Sequence, residues 1–244
     1  MTTMIRTSLL LGAAALFSAC GNAATEAPAS TAEAVSTTER TAYERPDDHA
    51  IGRVDAPLTV VEYASVTCPG CAFWHQNVYP EFKARYIDTG KVRYVFREFL
   101  TGAPDLAEAG FKIALCADPD DYFTNIKLQF DRLPQIMQMA QNGNARAAYV
   151  NLAKASGLTE EEFAACLANE DHRATIMSKM EQGFDEGVQG TPAFFINGET
   201  ARIGTVEDMD RVLGELLGET PEAPATEDTP AEEPVQKPAQ EPAE

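Results

Sequence analysis

Two cysteines three residues apart, Cys68 and Cys71, constrain this chain more than any other feature, because of what flanks them. Leu58 to Ala64 (LTVVEYA) is apolar and β-branched enough for a buried strand, with Pro57 at its entry. A short turn leads to Cys68-Pro69-Gly70-Cys71 and then to AFWHQNVYPEFKARY, where Phe73, Val78, Phe82 and Tyr86 recur at near-helical spacing. Thr89-Gly90 breaks that run before a second apolar stretch, Val92 to Phe99. The predicted order is strand, thiol pair, helix, strand: a βαβ unit with its sulfurs at the start of the helix.

That placement has chemical consequences. The first helical turn offers unpaired N–H groups and the positive end of the helix dipole, both of which favour a thiolate at Cys68. Pro69 suits the first helical position because it has no N–H to satisfy. Cys71, one turn below, can attack a mixed disulfide held at Cys68, which is the machinery of thiol–disulfide exchange. A lone CxxC can also be half of a zinc site, and His75 falls on the same helical face as Cys71. Zinc would still need a fourth ligand, and the sequence has neither a second CxxC nor an HxxxH pair. Otherwise Trp74 and His75 read as packing residues beside the active-site turn.

A second signature lies more than a hundred residues downstream, in Gly190-Thr191-Pro192-Ala193-Phe194-Phe195-Ile196-Asn197-Gly198. Thr-Pro leads into an apolar strand, and Asn197-Gly198 predicts a hairpin into a partner strand near Thr200 to Ile203. Thr205 then caps a closing helix, Val206 to Leu217, which stops at Gly218. Taken on the residues alone, Pro192 is expected to be trans, as most X-Pro bonds are.

The ends of the chain read differently from its middle. Arg6 followed by the nine-residue apolar run Leu9 to Phe17 is too short to span a membrane and describes an export signal over residues 1–20, implying a disulfide-permissive compartment. Residues 21–43, rich in Ala, Ser and Thr, read as a flexible linker. Residues 219–244 carry eight acids, one base and six prolines and read as a disordered tail. That leaves residues 44–218 as the folded unit. With 38 acidic against 19 basic side chains and a net charge of -19, the chain lacks the basic surface that nucleic acid requires.

CPGC after an apolar strand, with TPAFFING far downstream, resembles the thioredoxin fold and, more narrowly, the DsbA-type thiol oxidoreductases of the bacterial envelope. The resemblance implies an α/β thioredoxin fold with an inserted helical domain, here about residues 105–187. Leu106–Ala117, Tyr122–Leu133, Ala145–Ala155, Glu160–Ala168 and Arg173–Phe184 all pattern as helices there. It implies that Cys68 is the exposed nucleophile and Cys71 the buried resolving thiol, with Pro69 and Gly70 between them. It further implies that Thr191-Pro192 is a cis-proline loop facing them, and that Glu62 is a buried acid assisting proton transfer at Cys71. Exported proteins with free thiols would be the substrates and a DsbB-like membrane oxidase the partner, with no metal or nucleotide cofactor. Two positions depart from the strongest oxidants of the family: Gly70 stands where they have His, and Thr191 where Val is frequent. Both bear on the redox potential, so a disulfide reductase or isomerase, or an anchored binding module without enzymatic activity, remain alternatives.

Cys20, after Phe17-Ser18-Ala19, resembles the lipidated cysteine of a bacterial lipobox, which would anchor the protein to a membrane in the periplasm with residues 21–43 as tether. The alternative is a soluble signal cut at a nearby Ala. With Cys68 and Cys71 paired to each other, Cys116 and Cys166 remain for a structural disulfide, two buried thiols being the other possibility. Met137, Met139, Met177 and Met180 read as core filling or as the lining of a peptide groove.

Overall fold

The computed structural model describes residues 43–219. The export signal, Cys20, the linker up to residue 42 and the acidic tail from residue 220 lie outside them. Five strands form one sheet: β1 (His49–Ile51), β2 (Leu58–Ala64), β3 (Val92–Glu98), β4 (Ala193–Ile196) and β5 (Glu199–Ala201), in the order β1-β3-β2-β4-β5. β2 runs parallel to β3, and all other neighbours are antiparallel. β2 lies at the centre and all seven of its residues are buried, which is why it reads as an unbroken apolar run rather than an alternation. β1 has only three residues and no sequence signal of its own; its pairing with Tyr94 to Phe96 creates it.

Between β2 and β3 lie helix α1 (Pro69–Asn77), the single turn α2 (Tyr79–Phe82) and a π-helical turn, Lys83–Ile87. The sequence predicts one continuous helix here, and the structure interrupts it at Val78. Trp74, Val78, Phe82 and Tyr86 face the core, whereas Phe73 is 59% exposed on α1 beside the thiols. Trp74 is fully buried: its indole N–H donates to the Ile203 carbonyl at 2.6 Å and its ring packs 4.7 Å from Phe194. Asn197 and Gly198 both take positive φ (49° and 84°), as a two-residue hairpin requires, and set β5 one residue earlier than its apolar pattern implies. Thr205 caps the last helix, α8 (Val206–Leu217), and Gly218 ends it in the left-handed region.

The helical segment inserted after β3 comprises α3 (Pro104–Cys116), a 3-10 turn (Pro119–Asp121), α4 (Tyr122–Gln141), α5 (Ala145–Ala155), α6 (Glu160–Leu167) and α7 (Glu170–Asp185). α4 continues two turns beyond its predicted end at Leu133, straight through Pro134. Burial of Ile136 against Tyr149 and Leu152 of α5 compensates for the hydrogen bond that proline removes. α7 starts three residues earlier than its apolar pattern suggests, because the Asn169 side chain accepts from the N–H groups of Asp171 and His172. α3 and α6 are joined by a Cys116–Cys166 disulfide, with His172 Nδ1 3.5 Å from Cys116 Sγ. Met137 and Met139 pack against the helical cores. Met180 packs under the sheet, and only Met177 of the four is largely exposed.

Sheet and insertion are locked by a dry ion pair. Lys179 of α7 reaches Glu98 at the end of β3 at 2.6 Å, both side chains fully buried, while the Tyr122 hydroxyl donates to the other Glu98 oxygen at 2.7 Å. Removing one partner strands a charge in a low dielectric, whereas removing both does not. Lys179→Met is therefore expected to cost about 3–5 kcal/mol in urea unfolding, and Glu98→Gln combined with Lys179→Met distinctly less. Equal losses in the single and double variants would contradict this reading.

Candidate active site

Cys68 occupies the N-cap of α1, where its extended backbone (φ -88°, ψ 119°) lets the side chain accept from the Cys71 N–H at 3.4 Å. Its own N–H donates to the Ser65 carbonyl at 3.0 Å, and Ala72 N–H donates to its carbonyl at 3.1 Å, so the residue is tied on both sides. Pro69 fills the first helical position. Gly70 carries no side chain at a crowded point: a Cβ there would sit 3.4 Å from the Pro192 ring and 3.7 Å from the Cys68 sulfur. The Thr191-Pro192 bond is cis, against the expectation from the residues alone and in line with the resemblance. The Thr191 carbonyl accepts from the Cys68 thiol at 3.3 Å.

The two sulfurs stand as free thiols of opposite character. Cys68 is lowered to about 5, first by a hydrogen bond from the Cys71 thiol, then against the opposing effect of burial by the Thr191 side chain and by the N–H groups of Cys71 and Gly70. The amides of the helix start thus assist, but Cys71 itself is the larger influence. Cys71, with 0% exposure, is pushed far up by burial, by its hydrogen bond to Cys68 and by the negative charge of Glu62. One thiol is an anion at neutral pH and a good leaving group; the other holds its proton.

Glu62 lies on β2 beneath them, fully buried. Its Oε2 lies 3.0 Å from His75 Nε2 and also accepts from the Tyr94 hydroxyl, while Oε1 has no hydrogen-bond partner among the described residues. His75 therefore engages the acid, its ring stacked on Phe130 at 4.3 Å. Tyr94 and the polar role of His75 were not visible in the spacing. Tyr94 pairs across the sheet with Val60, two residues before Glu62, and such a diagonal neighbour on one face appears only once the register is known. Thr101, whose hydroxyl lies 2.5 Å from that of Thr191, also carries no sequence signal.

Linkage follows from these thiols. The unfolded chain keeps the Cys68 proton up to the ordinary thiol value of 9.0, the folded chain only to about 5. Across that window the unfolded state binds more protons, so the stability of the reduced protein is expected to rise with pH from 5 to 9. The contribution is complete above the upper value and absent below the lower one, and Cys71 acts in the opposite sense only above the ordinary thiol value. Denaturant midpoints of the reduced protein measured across that range check it. Below pH 6.5 His49 and His172, whose folded values are also lowered by burial, add a rise of their own. It is therefore the rise above that value that should vanish in Cys68→Ser, and an identical slope there in both proteins would assign it elsewhere.

Comparison with known proteins identifies the family and the fold. A family model described as Thioredoxin matches residues 44–215. A Rickettsia conorii protein named as a candidate protein-disulfide oxidoreductase is 33% identical over 178 residues, 72% of this chain and 62% of that protein. The matched region thus spans less than two thirds of the Rickettsia relatives. Disulfide bond formation protein D of Bacillus subtilis is 25% identical over 168 residues, 66% of this chain and 72% of its own length. Among solved structures, Wolbachia pipientis alpha-DsbA1 superposes with a TM-score of 0.65 at 26% identity, covering 71% of this chain and 92% of that one. The chain belongs to the thioredoxin family, and its fold is the DsbA-like one, an α/β thioredoxin sheet interrupted by the helical segment α3–α7.

Proposed function

We propose that the protein is a thiol–disulfide oxidoreductase that forms disulfides in exported proteins, with Cys68 as nucleophilic and Cys71 as resolving sulfur. The observation that carries this reading is the opposed state of the two thiols, one lowered to about 5 and one pushed up by burial. A substrate thiolate attacks Cys68 of the Cys68–Cys71 disulfide. The bond between the two sulfurs breaks, Cys71 leaves with the electron pair, and it takes a proton that the nearby Glu62 helps to deliver. A second substrate thiolate then attacks the substrate sulfur of the mixed disulfide and expels Cys68 as a thiolate. Counted from its dithiol, the substrate loses two electrons and two protons. The electrons and one proton stay with the protein, which ends as thiolate plus thiol, and the other proton passes to solvent. Reoxidation falls to a DsbB-like membrane oxidase.

Net oxidation, rather than reduction, is supported by the ease with which Cys68 leaves. Its value of about 5 lies between the roughly 3.5 of the strongly oxidising DsbA and the roughly 7 of thioredoxin. A more stable thiolate makes the reduced form the favoured product. Gly70 and Thr191, where the strongest oxidants differ, account for a milder oxidant rather than for a reductase. An open groove of 290 Å³ beside Pro192, lined by Val188, Phe194, Ala201 and Ile203, lies where an extended substrate segment would pass. The names of the Bacillus and Rickettsia relatives support the same chemistry. Cys20 would supply a lipid anchor in the periplasm.

Trapping tests the reading. Cys71→Ser, expressed as the full chain, is expected to accumulate mixed disulfides with exported proteins on non-reducing gels, and Cys68→Ser none. Adducts from neither variant would leave an anchored binding module instead, and a Cys68–Cys71 pair found fully reduced in growing cells would favour the reductase.

A further inference from the structure

Three loops meet beside Cys68, and hydroxyl groups join them. Ser65 and Thr67, buried in the turn that delivers Cys68, both donate their hydroxyls to the Thr101 carbonyl, at 3.0 and 2.7 Å. Thr67 Oγ1 accepts in turn from the Ala103 N–H at 3.2 Å. Gly102, at φ +73°, lets the loop between β3 and α3 press against this turn, since a Cβ there would lie 2.5 Å from the Thr67 carbonyl oxygen. The main chain of Thr101 is thus held from two sides. Its own hydroxyl points the other way, 2.5 Å from Thr191 Oγ1 in the cis-proline loop.

A hydroxyl has one proton to give. While Cys68 is a thiol, its S–H donates to the Thr191 carbonyl at 3.3 Å, and the two threonine hydroxyls can share their bond in either direction. Once Cys68 is a thiolate, the Thr191 proton is useful to the sulfur only if the Thr191 oxygen receives a hydrogen bond from elsewhere. We propose that Thr101 is a positioning residue for the nucleophile: it donates to Thr191 Oγ1, so that the Thr191 hydroxyl is released to, and polarised toward, the Cys68 thiolate. Chains of this kind strengthen each member, because a hydroxyl that accepts becomes a better donor. The Thr191 side chain is among the groups that lower Cys68, which agrees with this direction. The inference rests on the reading of Cys68 as the redox nucleophile. It also gives the loop that leads from β3 into the inserted segment a part in the thiol chemistry.

The test uses the reduced full chain of Thr101→Val, Thr101→Ser, Thr191→Val and the Thr101→Val/Thr191→Val double variant. Thiolate absorbance at 240 nm is followed against pH, and the equilibrium with glutathione is measured. Thr101→Val, nearly isosteric and without the donor, should carry about threefold less thiolate at a given pH on the acid limb, the size expected from weakening one hydrogen bond. Its glutathione equilibrium should move by a similar factor toward the disulfide form. Thr101→Ser should match the parent protein, and Thr101→Val should add nothing in the Thr191→Val background. Should Val disturb the loop, Thr101→Ala gives the same readout. A parent-like titration of Thr101→Val overturns the proposal, as does a shift shared by Thr101→Ser or undiminished without the Thr191 hydroxyl. A parent protein whose Cys68 titrates near the ordinary thiol value contradicts the redox reading itself, which the variants leave untouched.

Discussion

The rest of the structure depends on one sulfur at the first turn of α1. Cys68 keeps a negative charge because a thiol, two backbone N–H groups and a threonine side chain converge on it within a site it only just shares with solvent, at 9% exposure. None of these donors belongs to a neighbouring cation, so the charge is held by fixed dipoles. Each donor is fixed by an element with a further reason to be where it is. The helix start is set by the Cys68 cap and Pro69, the cis-proline loop by the β4–β5 hairpin, whose Asn197 is bonded to Thr59 of the central strand, and Cys71 by burial against the core. Moving any of them by about an ångström would weaken several hydrogen bonds at once.

The two halves of the site were legible to different degrees. β2, α5 and α8 coincide with their predicted bounds, because each has a strong local signal: an apolar β-branched run, an amphipathic eleven-residue stretch, a Thr cap and a Gly stop. The thiol pair and the Thr191-Pro192 loop were visible through spacing and resemblance. What was hidden depends on long-range register. His75 looked like packing until β2 placed Glu62 against it, and Tyr94 had no reason to be singled out before its strand was aligned. Phe73 was grouped with Val78, Phe82 and Tyr86, but Trp74 is the residue in phase with them and takes the core position instead. Thr101 sits in a loop with no period at all, ninety residues from the threonine it touches.

Buried charge serves two separate purposes in this molecule. Glu98 and Lys179 are fully paired and hold the inserted segment to the sheet, while Arg97 of β3 pairs with Asp48, just before β1, at 2.8 Å. Glu62 is only half satisfied: one oxygen is pinned by His75 and Tyr94, and the other is unpartnered among the described residues. A carboxylate so arranged is costly for stability, and such costs are tolerated where chemistry needs a proton acceptor or donor. Its charge is also one of the influences that push Cys71 up, so a single acid helps to keep that thiol protonated.

The most direct measurement is the rate of iodoacetamide alkylation at each cysteine of the reduced chain, followed by peptide mass spectrometry between pH 4 and 9. The account predicts that Cys68 is modified at rates rising around pH 5 and then levelling, while Cys71 stays unmodified throughout the range. Equal labelling of the two residues, or a Cys68 rate that climbs only above pH 8, would contradict it.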